Sequence, residues 1–145
     1  MNRVFVDMDG VTVDFDGYAE TLGLTGDETK RYPGAYLAMN PLTGALEGIR
    51  SLIEMGYEVW LATKPPTGVP FAYADKVSWV LKHLPELKHR IILTPDKGLL
   101  GDRGDYLIDD RPHLANCRNF SGTLIAFTDS PTVLNRLRRR SRLSA

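Results

Sequence analysis

The sequence predicts an α/β fold: a three-layer sandwich around a five-stranded parallel, Rossmann-like sheet. Two observations carry this expectation. Short apolar runs rich in Val, Ile, Leu and aromatics alternate with segments of helical period, as strands buried on both faces and their crossovers do. Polar residues then gather where those runs end: Asp7 and Asp9 at the first, Thr63 and Lys64 at the second, Lys97 just beyond the third, Asp109 and Asp110 at the fourth. In an open parallel sheet the carboxyl ends of the strands border the ligand crevice. A chain of 145 residues, 43% hydrophobic and 25% charged, suits one such domain.

The strands are expected over residues 4–7, 58–62, 90–93, 106–109 and 123–127. Right-handed crossovers and the convergence of polar ends predict the order 3-2-1-4-5, with helices on both faces. After the first strand, residues 24–40 are irregular, with Gly26, Pro33 and Gly34 among Tyr32 and Tyr36. They read as a small lid. Leu42, Leu46, Ile49 and Ile53 form an apolar stripe for a helix begun at Thr43 or the turn before it, and Gly56 stands where a helix C-terminal glycine belongs. A second helix is expected over 71–84, with Val77, Leu81 and Leu84 on one side and Pro85 past its end. A third is expected over 112–119 and a fourth over 131–140. No repeat or linker divides the chain, so 1–145 reads as one domain, with a reduced cap around 17–40 and a basic tail around 136–145.

The 18 basic and 18 acidic side chains cancel, so net charge predicts no polyanionic partner. Arg136, Arg138, Arg139, Arg140 and Arg142 nonetheless crowd the end of the chain. Cations suit the C-terminal end of a helix dipole; contact with nucleic acid is the second reading. The single Cys117 excludes an intramolecular disulfide. No apolar run approaches the roughly 20 residues needed to span a bilayer. The chain enters Arg3-Val4-Phe5-Val6-Asp7 too early for a signal peptide. The expectation is a cytoplasmic protein with no membrane partner.

Side chains two apart on an extended chain point the same way, so Asp7 and Asp9 can face one ligand. Close carboxylates repel unless a cation or a shared proton intervenes. With Asp109 and Asp110, four acids meet one lysine at the sheet edge, a set that points to Mg²⁺, which favours carboxylate oxygens and water. Taken singly, each element has a plainer reading. Asp-x-Asp-Gly is a turn, Thr63 a helix N-cap, Lys97 a solvated loop lysine; the set is what argues for a site. Lys64 either touches an anion or only lies in a proline-rich loop, and Arg111 braces the Asp109-Asp110 turn. His83, His89 and His113 show no metal-ligand spacing and read as surface or packing residues. Cys117 packs, and Trp60 and Trp79 read as core or interface. Phe15, Tyr18, Tyr32 and Tyr36 cluster near the first motif and the lid.

Four motifs, Asp7-Met8-Asp9-Gly10-Val11, Thr63, Lys97 and Asp109-Asp110, resemble in their order those of the haloacid dehalogenase-like phosphotransferase superfamily. The resemblance spans residues 3–127. A finer one is to the 5'(3')-deoxyribonucleotidases, carried by Asp14-Phe15, Ala62-Thr63-Lys64-Pro65-Pro66, Ile91-Ile92-Leu93 with Asp96-Lys97, and Leu107-Ile108-Asp109-Asp110-Arg111-Pro112.

The resemblance implies that Asp7 is a nucleophile forming an aspartyl-phosphate. Asp9 would act as acid for the leaving alcohol and base for water. Asp7, the Asp9 carbonyl and Asp109 would hold Mg²⁺, and Thr63 and Lys97 the phosphoryl oxygens. Asp110 would orient Lys97 or a water on the ion, Phe15 would line a base pocket, and Lys64 and Tyr18 would contact substrate. The substrate so implied is a phosphomonoester, a nucleoside monophosphate above all. The segment before the Leu42 helix is shorter than the family's usual cap, which leaves room for a second subunit of a homodimer or for a larger substrate: a polynucleotide end, phosphosugar or phosphoprotein. A phosphorylation-switch receiver domain carries similar residues, but in another order, with its lysine last. A binding module that has lost catalysis is at odds with four intact motifs.

Overall fold

A computed structural model describes residues 2–144. Five parallel strands, β1 (Arg3–Val6), β2 (Glu58–Thr63), β3 (Ile91–Leu93), β4 (Tyr106–Asp109) and β5 (Thr123–Ala126), form one sheet in the order β3-β2-β1-β4-β5. This is the order that the polar strand ends predict. Val4 aligns with Val59 on one side and Tyr106 on the other, so the first strand in sequence is the central strand in space.

Alternation along the strands divides the core in two. Val4, Val6, Val59, Leu61 and Ile108 pack with α4 (Ala45–Glu54), α5 (Pro70–His83) and α6 (Ser130–Ser144) through Ile49, Leu52, Trp79, Val80, Val133 and Leu137. Phe5, Ala62 and Leu107 point the other way and meet Cys117 and Phe120. That second layer is thin. The helix expected over 112–119 is a series of turns closed by a single 3₁₀ turn, Cys117–Asn119. Ala115 and Asn116 stand at φ 50° and 54°, where a right-handed helix cannot continue. A second 3₁₀ turn, Lys97–Leu99, lies in the other crossover on this face.

Two stripes are rotated from expectation. On α4 the buried residues are Ala45, Gly48, Ile49 and Leu52; Leu42 precedes the helix, which starts after Gly44. The lack of a side chain at Gly48 lets α4 approach Ser130 and Leu134 of α6. On α5 the buried positions are Ala72, Lys76, Trp79 and Val80, while Leu81 is exposed. Gly56, at φ 98°, follows α4 as a C-terminal glycine should.

Residues 15–38 are more regular than the sequence suggests. They form α1 (Phe15–Leu22), α2 (Gly26–Lys30) and α3 (Ala35–Ala38). Asp14 caps α1 by accepting from the Gly17 amide, and Thr25 with Glu28 forms a capping box on α2. This small cap is anchored to α5: the Trp79 indole donates to the Met39 carbonyl at 2.8 Å, and the Gly34 amide donates to Asp75 at 3.0 Å. Among the described residues no helix is long and apolar enough to cross a membrane.

Candidate active site

The loop after β1 is wound tightly on itself. The Thr12 and Val13 amides both donate to the Met8 carbonyl, and the Thr12 hydroxyl donates to the Asp7 carbonyl at 2.7 Å. Gly10 sits at φ 78°, and a Cβ there would collide with the carboxylate of Asp110. Glycine therefore serves twice, by adopting the left-handed turn and by letting Asp110 close over the loop.

Strand ends bring the remaining groups in. Asp7 follows β1, Thr63 ends β2 and Asp109 ends β4, all at most 7% exposed. Lys97 arrives on the turn after β3, which Asp96 caps through the Gly98 amide at 2.9 Å. The Lys97 backbone N–H donates to the Ala115 carbonyl, pinning the two thin-layer loops together. The Lys97 ammonium, 2% exposed, donates to Asp7 Oδ1 at 2.7 Å and to Asp109 Oδ2 at 2.6 Å. The Arg111 backbone N–H donates to Asp109 Oδ1 at 2.8 Å; its side chain is exposed, so the main chain does the bracing.

Asp7, Asp109 and Asp110 each offer a carboxylate oxygen within 4.8 Å of the others. Burial pushes the Asp7 carboxyl up to about 8, with Asp109 and Asp9 adding to the rise, although the Lys97 ammonium pulls it back. Burial also lowers Lys97, but Asp7 and Asp109 outweigh it and hold the ammonium above its ordinary value. Burial raises Asp110 as well. One lysine thus leaves the triad short of positive charge. A small hard cation with oxygen ligands fits this set. Asp110 belongs to the cluster as closely as Asp7 and Asp109 do, while the Asp9 carboxylate is not part of it.

The Asp9 carboxylate turns instead to two groups that no sequence motif marks. Lys76 Nζ lies 3.3 Å from Asp9 Oδ1, and the Tyr36 hydroxyl donates to Asp9 Oδ2 at 3.3 Å. Lys76 is fully buried, donates to Thr63 Oγ1 at 2.6 Å, and sits 4.2 Å from the Tyr36 ring centroid. Burial lowers its ammonium against the opposing pull of Asp9 and Asp7, and burial first, then Asp9, raises the Tyr36 hydroxyl. Tyr36 appears in the sequence only as one lid aromatic among several. Lys76 was legible from helical spacing: Ala72, Lys76, Trp79 and Val80 make a continuous face if lysine is admitted to it.

The cleft around these groups has a volume of about 880 Å³ to its open mouth, the size of a small-molecule site. Phe15 lines it, its ring 6.0 Å from Tyr36 and tilted by 39°. Lys64, Lys30 and Arg111 add cations to the lining, of which Lys64 and Arg111 are exposed. Tyr18 lies outside the lining and packs, partly buried, against the main core. Tyr32 is half exposed. The histidines are dispersed: His83 stacks on Trp79 at 4.3 Å, and His89 and His113 are exposed. Cys117 packs as expected and also lies 3.5 Å from Asp109 Oδ2.

The chain is 37% identical over 98 residues to "Putative 5'(3')-deoxyribonucleotidase" of Bordetella bronchiseptica, a match covering 67% of this chain and 52% of that one. It is 30% identical over 143 residues to "5'(3')-deoxyribonucleotidase, cytosolic type" of Homo sapiens, covering 75% and 70%. It is also 32% identical over 114 residues to a protein of Vibrio phage KVP40 with the same printed name as the Bordetella one, covering 74% and 65%. The chain spans about half the length of the Bordetella relative. Residues 29–141 match the family described as "5' nucleotidase, deoxy (Pyrimidine), cytosolic type C protein". That match takes in Thr63, Lys76, Lys97, Asp109 and Asp110, and with the sheet order and the site it rests on, the chain belongs to this 5'-nucleotidase family of the haloacid dehalogenase-like superfamily.

Proposed function

We propose that this protein is a phosphomonoesterase that transfers the phosphoryl group of a nucleoside monophosphate to Asp7 and then to water. The observation that carries the reading is the division between two neighbouring acids. Asp7 faces Lys97 and the Asp109-Asp110 pair, whereas Asp9 is turned away to Lys76 and Tyr36. Carboxylates in such different surroundings suit different roles.

In the first step an Asp7 carboxylate oxygen attacks phosphorus. The bond from phosphorus to the ester oxygen breaks, and Asp9 gives its proton to the departing alkoxide. In the second step Asp9 takes a proton from water, the water oxygen attacks phosphorus, and the bond to Asp7 breaks to release inorganic phosphate. Lys97 and Thr63 would hold the equatorial phosphoryl oxygens. The Thr63 oxygen accepts from Lys76, which can only donate, so the hydroxyl proton is directed elsewhere and is free for the substrate. Asp7, Asp109 and the Asp9 carbonyl would hold Mg²⁺, with Asp110 completing or orienting the set; bound there, the ion would offset the negative charge of the acids and the phosphate. Phe15 would supply a flat apolar wall for a base, and Lys64 lines the same cleft. The reducing cytoplasm suits a buried free Cys117.

The test is phosphate release with Mg²⁺ from deoxynucleoside monophosphates, sugar phosphates and a 5'-phosphorylated oligonucleotide. Deoxynucleotides should give the highest kcat/KM, and excess EDTA should abolish turnover. Turnover undiminished by EDTA removes the metal; preference for sugar phosphates removes the nucleotide. A polynucleotide end is the second reading, favoured by the open mouth and by Lys30, Lys64 and Arg111 along the lining. Preference for the oligonucleotide would select it.

A further inference from the structure

We infer that Lys76 and Tyr36 are positioning residues that hold the Asp9 carboxylate at its proton-transfer station and away from the acidic triad. The inference rests on the phosphatase reading above and concerns how that chemistry is aimed.

Four carboxylates converge on this end of the sheet, and a cation entering the triad would attract all of them. Asp9 is two residues from Asp7 on the same loop, yet its carboxylate is held by other partners. The two contacts come from different parts of the fold. Lys76 reaches up from α5 to one oxygen, and Tyr36 reaches in from α3 of the cap to the other, both at 3.3 Å. The clamp is itself braced: the ammonium rests over the Tyr36 ring at 4.2 Å and is anchored on Thr63 at 2.6 Å. Lys76 is 0% and Tyr36 2% exposed, so neither swings freely. A fully buried lysine is rare unless paired. Here its pairing is to the one acid that the triad does not use.

The arrangement also gives this small cap a task. Besides lining the cleft through Phe15 and Lys30, its three short helices include α3, which packs on α5 and delivers the Tyr36 hydroxyl into the core. The cap thereby sets the acid as well as bordering the cleft.

A positioning role has a signature that simple loss of structure lacks. An alkyl leaving group needs the proton from Asp9, while p-nitrophenolate departs without it. Since kcat/KM reports phosphoryl transfer to the enzyme, it separates the two cases. The experiment measures kcat/KM for a deoxynucleoside monophosphate and for p-nitrophenyl phosphate, with Mg²⁺, on the full chain, Tyr36→Phe and Lys76→Met, together with melting temperatures. Tyr36→Phe keeps the ring under the ammonium and should lower the nucleotide value about tenfold while changing the aryl value less than about twofold. Lys76→Met also releases Thr63, so both values should fall, the nucleotide value further by at least about tenfold, within the 10²–10⁴-fold worth of a positioned acid. If both substrates lose activity equally in both variants, or Tyr36→Phe changes neither, the inference is overturned and the phosphatase reading stands. If the wild-type chain hydrolyses neither substrate, both fall together. Should Lys76→Met fail to fold, Tyr36→Phe alone decides.

Discussion

Around Asp7 and Asp9, two buried lysines from different elements divide the acids between them: Lys97 takes Asp7 with Asp109, and Lys76 takes Asp9. Asp7 and Asp109 meet because they stand at the carboxyl ends of β1 and β4, which are adjacent parallel strands; Lys97 arrives on the turn after the edge strand β3 and reaches across to both. Lys76 escaped notice for a physical reason: lysine is almost never fully buried unless paired, so a pattern reading puts it on the outside. Its partner Asp9 is 67 residues away in the chain. Two substitutions test this scale. Asp7→Asn keeps the volume and the Lys97 contact but removes the carboxylate proposed as nucleophile; turnover should fall by about 10⁴-fold or more with an unchanged melting temperature. Activity within tenfold of wild type would reduce Asp7 to a ligand. Gly10→Ala must place a side chain at φ 78° and push the Asp110 carboxylate aside. The backbone cost is about 1–2 kcal/mol, and kcat should drop by more than that loss explains when measured well below the melting point. A variant as active as wild type would show that Asp110 has no share in the reaction.

Helices show the same limit one level up. Of the stripe Val77, Leu81 and Leu84, only Leu84, at the end of α5, is fully buried; Leu81 is exposed, and the face the stripe misses is the one that Lys76 shares with Ala72, Trp79 and Val80. Strand positions were recovered almost to the residue, since buried parallel strands are short unbroken apolar runs. The 112–119 segment misled because its composition permits a helix; only the left-handed backbone at Ala115 and Asn116 breaks it, and neither residue is a glycine to announce that. The caps of α1 and α2 are missed by a reading of 24–40 as irregular, although Thr25 and Glu28 have the spacing of a capping box. The two faces of α5 separate by substitution. Trp79→Ala removes a fully buried ring and the indole bond to the Met39 carbonyl, so unfolding free energy should fall by about 3–5 kcal/mol. Leu81→Ser, on a side chain that is 49% exposed, should stay within about 0.5 kcal/mol of wild type. Chemical denaturation of the pair checks the face assignment; equal losses would overturn it.

At the amino ends of the strands, opposite the active site, one buried carboxylate ties the sheet together. Asp105 accepts from the Arg3 amide at 2.8 Å, the Arg3 side chain at 3.0 Å and the Asp102 amide at 2.7 Å. Burial raises its carboxyl, but these donors outweigh it and hold the group below the ordinary carboxylate range. A lowered value in the folded state means stability that is complete above the unfolded value of about 3.9 and is lost as pH falls through the folded one. Asp105→Asn should therefore cost about 1.5–3 kcal/mol at pH 7, and the gap to wild type should narrow below about pH 4. A gap that holds constant down to pH 3 would show that the charge contributes nothing. The sheet order has a further consequence, in time rather than space. β1 is complete within the first few residues, yet its second neighbour, β4, begins only at Tyr106. At a synthesis rate of about 5–20 residues per second, roughly 5–20 s pass with one edge of an apolar strand unpaired. Released chains stopped before Tyr106 should be unable to complete the sheet and should aggregate, while those extending past β5 fold. The strand that leads into Asp7 thus waits about a hundred residues of chain for its second neighbour.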